Sequence, residues 1–466
     1  MKLLPEAILS FGGTLVLVVC AFGPERAMRD FLRWLSLFIV AGATAALIGT
    51  HARYAGADNW TIVSPITTAF GTLLLSLIAW TILAGRAPVG GGGEWFALLI
   101  FVGLGSLALA RVANLAGLFL GIEVLSLALY VLISFLYDRK SSLRGGAMYL
   151  ALAGYASAFL VFGMALVYAA YGTIQIDELQ AAAHIGHMKP LALIGFGLFL
   201  VGIGFKLAVV PFHMWAADVY EAAPGAVSGI IASVSKGATL SALIPFMFLL
   251  DTHRWVIVVL AGASMIIGNL LGLRETRVKR ILAYSSIAHI GYILLGYLAG
   301  DQATQFGAAT DGRTAILYYV AAYGISVLGA FVTLSALRSE GPVTLNDLHG
   351  IGRRHPALAV CMLVFVASLA SLPIPLTAGF WGKLYLFSAA FQAHYVKLAL
   401  LGLVGSAIGI FYYLRILVHL FMVAPETGER GTPEYSTLQQ GVLVLTAISV
   451  VAVGCFPDTL LHLLQF

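Results

Sequence analysis

Charge is what this sequence has least of. Only 10% of its 466 residues are Asp, Glu, Lys or Arg, against about 25% in ordinary soluble domains. Hydrophobic residues make up 60%, and the mean hydropathy is +0.96. That excludes a water-soluble globular chain and predicts a protein that crosses a membrane many times. Cysteine is scarce as well: Cys20, Cys361 and Cys455 lie far apart in apolar stretches, without CxxC or Cys/His spacing. They read as buried free thiols, not as a disulfide framework or metal site. Nucleotide fingerprints, iron–sulfur cysteine runs and flavin motifs are missing. APVGGGGE (87–94) is glycine-rich but no Lys-Ser/Thr follows it, so it reads as a flexible connection and not a phosphate cradle. The acidic loop PETGERGTPE (425–434) reads as a solvated linker. No A-x-A site follows the apolar stretch 3–22, which is expected to be retained as a first span.

What is there is a series of apolar runs recurring from end to end. Runs long enough to cross a bilayer predict an all-α polytopic protein of about fourteen transmembrane helices. They fall near 3–22, 31–50, 62–85, 95–111, 113–137, 147–171, 191–216, 225–250, 254–273, 279–299, 313–337, 357–391, 395–422 and 437–464. With alternating spans, 16 Lys and Arg residues fall in loops after odd-numbered spans and 7 on the opposite side. This asymmetry places the odd loops in the cytoplasm and both termini outside, as expected for a multi-pass membrane protein. The formal charge of +5 is thus explained by orientation, not by nucleic acid.

The remaining three basic residues, Lys206, Lys236 and Lys383, lie inside spans, as do His289 and Glu123. A lysine at the centre of a membrane helix costs roughly 2.5–3.5 kcal/mol on insertion scales. Five ionisable groups on five spans therefore point to a task, with packing alone the weaker account. A desolvated lysine whose carboxylate partner can move is switchable between charged and neutral, the property a proton relay needs. Glu123 is the intramembrane carboxylate available for that purpose, and Lys206 is its expected partner. His289 fits a relay position, while His213, seven residues after Lys206, reads equally as a proton carrier or a hydrogen-bonded helix-end histidine.

Proline sharpens the pattern. Pro211 follows Lys206 in the seventh span, and Pro373 and Pro375 precede Lys383 in the twelfth. Proline at that depth frees backbone carbonyls, which protein or water must then satisfy. Two broken helices five spans apart, with lysine and proline in opposite order, predict two inverted five-helix repeats, spans 4–8 and 9–13. The expected division is one membrane domain: three helices over 1–94, a first repeat over 95–250, a second over 254–422 and a last helix over 437–466.

The stretches GFKLAVVPFHMW, ASVSKGA, VKRILAYSSIAHIGYILLG and SLPIPLTAGFWGK resemble the antiporter-like subunits of respiratory NADH:quinone oxidoreductase, complex I. The opening LLPEAILSFGG, GIEVLSLALYVL and the absence of a long lateral helix at the end resemble subunit N of the bacterial enzyme, counterpart of mitochondrial subunit 2. The resemblance runs over essentially the whole chain. It implies that Glu123 and Lys206 are the paired glutamate and lysine of the fifth and seventh helices. It likewise implies that Lys236, His289 and Lys383 are the lysine, histidine and lysine of the eighth, tenth and twelfth. It further implies a translocase subunit with no redox centre of its own, coupled to quinone reduction elsewhere. NADH, FMN, iron–sulfur clusters and quinone are then expected in partner subunits, and other antiporter-like subunits as neighbours. Met148 departs from the family, many of whose members carry a lysine early in the sixth helix; Arg144, one turn earlier, is the expected substitute. An Mrp-type Na⁺/H⁺ antiporter subunit and a ferredoxin- or hydrogenase-linked complex share the same plan. A haem-bearing oxidoreductase fits less well, because His213 and His289 lie at different depths with no attachment motif.

Overall fold

Apolar chain in a bilayer must satisfy its backbone internally, and the helix is the element that does so within one segment. A computed structural model of the protein describes residues 2–22, 25–85, 92–185, 189–248, 254–300, 311–336, 342–372, 375–423 and 435–464. Pro373, residues 87–91 of the glycine-rich loop and the acidic loop 425–434 lie outside the described residues, as do Arg86, Arg338 and Arg430 of the basic set.

In chain order the helices are α1 (Leu4–Phe22), α2 (Glu25–Arg53), α3 (Pro65–Ala84), α4 (Gly93–Ala110), α5 (Leu115–Ile133), α6 (Lys140–Tyr171) and the short α7 (Ile176–Ile185). Then come α8 (Pro190–Leu207), the short α9 (Ala216–Ala222), α10 (Gly225–Phe246), α11 (Arg254–Arg274), α12 (Val278–Ala299) and α13 (Gly312–Ser335). The chain closes with α14 (Pro356–Ala370), α15 (Ala378–Gln392), α16 (Val396–Phe421), α17 (Thr437–Cys455) and α18 (Pro457–Leu464). Thirteen of the described helices are long and apolar enough to cross a membrane. The expected span 357–391 has no single long helix; it is divided between α14 and α15.

Several starts carry the residues that helix ends require. Ser64, Asn114 and Asp311 cap α3, α5 and α13 by accepting the backbone N–H three residues on. Where the sequence expectation fails, the cause is local. Helix α6 begins seven residues before the expected 147, because the polar turn Lys140–Arg144 continues the helix past the apolar run. The last span ends at Cys455, not 464, since Pro457 has no N–H to continue it and instead opens α18. The chain is not purely helical either: Gly56–Ala57 and Ile62–Val63 form a small antiparallel hairpin between α2 and α3.

Helices α10, α12 and α13 are enclosed on almost every face, whereas α1, α2, α6, α16 and α17 bury only a minority of their surface. Two of the enclosed helices, α10 and α12, hold Lys236 and His289, groups that lipid would penalise. Two crossings are especially tight. A Cβ at Gly105 of α4 would stand 2.6 Å from the Leu125 nitrogen of α5, and one at Gly268 of α11 would stand 2.7 Å from the Ala288 nitrogen of α12. Small residues let helix backbones approach this closely in a membrane.

Candidate functional site: a buried line of ionisable groups

Lys206 sits in the last turn of α8, just before that helix breaks. Ala208 terminates it in the left-handed region at φ 58°, and Pro211 lies in the linker to α9. The freed groups find partners, as the absence of bulk water demands. The Val210 N–H donates to the Ser264 hydroxyl at 3.0 Å, and the Trp215 indole donates to the Phe205 carbonyl at 3.0 Å. The Lys206 ammonium is buried and donates to Ser126 Oγ at 2.7 Å and to the Tyr149 hydroxyl at 3.1 Å.

Glu123 is half-buried on α5, three residues before Ser126, and accepts a hydrogen bond from Ser157 of α6. The expected direct Glu123–Lys206 contact is not formed in this structure: Ser126 and Tyr149 occupy the ammonium instead. Both carry no charge, and for that reason a search for charged partners passes over them. Arg144 is exposed and makes no bond to Lys206; the residue that reaches the lysine from α6 is Tyr149, beside Met148. His213 is half-buried in the linker and makes no contact with Lys206.

Lys236 lies in α10 directly after a π-helical turn, Ile231–Ser235. Such turns inside helices recur at functional sites. Its ammonium donates to Ser286 Oγ at 2.8 Å and to the Ser286 carbonyl at 3.3 Å. His289, one turn further along α12, holds Tyr319 through Nδ1 at 2.7 Å and Tyr413 through Nε2 at 3.1 Å. Tyr413 in turn bonds Ser285. A further turn along the same helix, the Tyr292 ring lies beneath the Lys383 ammonium, 4.9 Å from centroid to Nζ. Ser286, His289 and Tyr292 follow one another at three-residue spacing, so α12 presents Lys236, His289 and Lys383 with successive contacts on one side.

Lys383 is carried by α15, just after the second break. Helix α14 ends at Ser371, also left-handed at φ 49°, and the Lys383 ammonium donates to the Ala370 carbonyl at 3.5 Å and to Ser406 Oγ of α16 at 2.7 Å. The break therefore supplies an acceptor that the lysine uses. Gly379 donates its N–H to Ser368 Oγ, and a Cβ there would lie 1.9 Å from the Ser368 carbonyl oxygen, so only glycine fits.

The expected residues thus form two groups. Glu123 and Lys206 stand at one end on α5 and α8; His289 lies on α12, and Lys236 and Lys383 contact that same helix from α10 and α15. No direct contact joins Lys206 to Lys236. Between them stands an aromatic file: Tyr149 against Trp215 at 4.8 Å, Trp215 against Tyr220 at 6.3 Å, and Tyr220 under the Lys236 ammonium at 6.0 Å. Among the described residues no cluster of three or more His, Cys, Asp and Glu is placed to hold a metal ion.

Enclosed lysines, a histidine on a polar helix face and two helices broken beside lysines describe a multi-pass membrane protein of antiporter-like construction. The chain belongs to the NADH:quinone oxidoreductase/Mrp antiporter transmembrane family, which it matches over residues 112–409. It is similar to NADH-quinone oxidoreductase subunit N of Trichlorobacter lovleyi, at 34% identity over 97% of this chain and 92% of that one. It also resembles a chain of respiratory complex I from Thermus thermophilus with bound aureothin, with 30% identity, a TM-score of 0.85 and coverage of 98% and 99%. A chain of the Mrp complex from Dietzia shares the fold at a TM-score of 0.84 and 22% identity, covering 100% of this chain and 97% of that one.

Proposed function

We propose that this chain is subunit N of an NADH:quinone oxidoreductase in the bacterial inner membrane, and that it moves protons without a redox centre of its own. Similarity to subunit N relatives over nearly the full length supports the assignment to that complex. The observation that carries the proton-moving role is the line of Lys236, His289 and Lys383 along one face of α12, each on a hydroxyl or aromatic ring. Each step moves one proton from an ammonium or imidazolium to a neutral acceptor, and Ser and Tyr hydroxyls both donate and accept along the way. Quinone reduction in partner subunits, where NADH, FMN, iron–sulfur clusters and quinone are held, alters the relation of Glu123 to Lys206 and so starts transfer towards Lys383. Other antiporter-like subunits flank the chain, and both termini face the periplasm. Two inverted five-helix repeats (95–250 and 254–422) underlie the arrangement, a reading supported by the two lysine-bearing breaks and by the matched crossings at Gly105 and Gly268.

The test is the assembled complex, purified gently and reconstituted in vesicles. Lys206→Ala and Glu123→Ala are expected to lower protons moved per NADH oxidised. Unchanged yield in both variants overturns the relay. Purification without flavin and iron–sulfur subunits, together with sodium-dependent exchange, overturns the complex assignment in favour of an Mrp-type exchanger.

A further inference from the structure

Lys383 has no carboxylate partner among the described residues; Ser406, a carbonyl and the face of Tyr292 are what hold it. The orientation of that ring is therefore part of the lysine's environment. Tyr292 is buried on α12, and its hydroxyl accepts a hydrogen bond from Asn269 Nδ2 of α11 at 2.9 Å. Asn269 is only 1% exposed, an amide deep among membrane helices. It uses both of its N–H donors and its oxygen there. Its second N–H donates to the Met265 carbonyl at 2.6 Å, and its oxygen accepts from the Tyr412 hydroxyl of α16 at 3.0 Å. Because the Met265 carbonyl can only accept, the orientation of the amide is fixed.

The neighbouring helix is shaped around this amide. A Cβ at Gly405 would lie 3.1 Å from Asn269 Nδ2 and 3.4 Å from the Tyr292 hydroxyl; one at Gly409 would lie 3.1 Å from Asn269 Oδ1 and 3.3 Å from the Tyr412 hydroxyl. Ser406, which holds the Lys383 ammonium, stands between those glycines. At the comparable crossing of α4 with α5 the residue after Gly105 is Ser106, whose hydroxyl donates back to Val102. The longer amide is thus a feature of the Lys383 end. Tyr292 also meets His289 edge-on at 5.7 Å, so its ring stands between the histidine and the lysine.

We propose that Asn269 is a positioning residue for proton transfer between His289 and Lys383: its amide ties the hydroxyls of Tyr292 and Tyr412 together and so fixes the ring on which the Lys383 ammonium rests. The inference rests on the relay reading above and names a residue outside it. In the full complex reconstituted in vesicles, Asn269→Leu and Tyr292→Phe are each expected to lower protons moved per NADH, with assembly on native gels unchanged. Because both remove the same tie, the double variant is expected to lose no more than the worse single one. Losses that add show that the two side chains act separately and overturn the proposal. So does a wild-type yield in Asn269→Leu where Lys383→Ala lowers it. A wild-type yield in Lys383→Ala overturns the relay itself, and this inference with it. If Asn269→Leu does not assemble, Tyr412→Phe, which removes only the donor to Asn269 Oδ1, takes its place against Tyr292→Phe with the same expected non-additivity.

Discussion

At the scale of single residues, the molecule separates groups that carry charge from groups that hold it. Lys206 is bound by Ser126 and Tyr149, Lys236 by Ser286, and Lys383 by Ser406 and an aromatic face. None of these partners bears a charge, so each ammonium is solvated without being locked into an ion pair. Removing one partner should loosen a lysine without unfolding its helix. Tyr149→Phe keeps the ring beneath Lys206 and deletes the 3.1 Å hydrogen bond. A hydrogen bond to a charged group is worth about 1.5–3 kcal/mol, so reduced proton yield with normal assembly is expected. Reconstituted vesicles with a pH-sensitive dye check this. The lysines, the histidine and the glutamate were legible in the sequence because ionisable residues stand out in apolar runs. Ser126, Tyr149, Ser406 and Asn269 were not, since hydroxyls and amides are ordinary components of helix packing and only proximity in space selects them.

At the scale of elements, the two breaks matter most, and the sequence showed both through their prolines. What it concealed was how each break is closed: by Ser264 and Trp215 at the first, and by Ser368, Gly379 and Lys383 itself at the second. Gly379→Ala would force a Cβ to 1.9 Å from a backbone oxygen, which no side-chain adjustment relieves. Loss of the subunit from the complex is expected, read on a native gel. The turn between α11 and α12 offers a milder perturbation. Burial alone would raise the Glu275 carboxyl, but the N–H groups of Arg277 and Thr276 and the Arg280 guanidinium hold it below the usual carboxylate range. Arg280 also bonds Asp218 of α9, so this carboxylate organises the tie between the two halves of the chain. A depressed carboxyl contributes stability that is complete above its unfolded value, about 4.3, and is lost as pH falls through the folded one. Glu275→Gln should therefore lower the thermal midpoint of the purified complex at neutral pH, with the difference from wild type shrinking in acid.

At the scale of the whole molecule, the outer helices are fastened by a buried ion pair. Arg111 closes the expected fourth span and counts among the seven basic residues on the side away from the cytoplasm; it is 1% exposed and pairs with Glu6 of α1 at 2.6 Å. It also donates to the Lys2 carbonyl at 2.9 Å, and its own carbonyl accepts from Ile62 of the hairpin at 2.8 Å. One residue thus gathers α1, the hairpin and the α4–α5 junction, through its side chain and its carbonyl. Removing one member of a buried pair leaves the other uncompensated, at about 3–5 kcal/mol. Arg111→Leu is expected to destabilise the complex on heating, and Arg111→Leu with Glu6→Leu to recover part of the loss. The overall fold was readable because hydropathy fixes which segments cross the bilayer. The position of Arg111 was not, because charge in a short connection says nothing of what folds over it.

Helix α12 carries a consequence of a different kind. Ser286 and Tyr292 are six residues apart, about 9 Å along a rigid helix, and one holds Lys236 while the other supports Lys383. Lys206, by contrast, rides on the last turn of a helix that stops beside it. The machine is therefore mechanically lopsided. Lys206 stands at the end of an interrupted helix, whereas one unbroken helix carries contacts of both Lys236 and Lys383, so that any tilt of that helix would reach two lysines in the same instant.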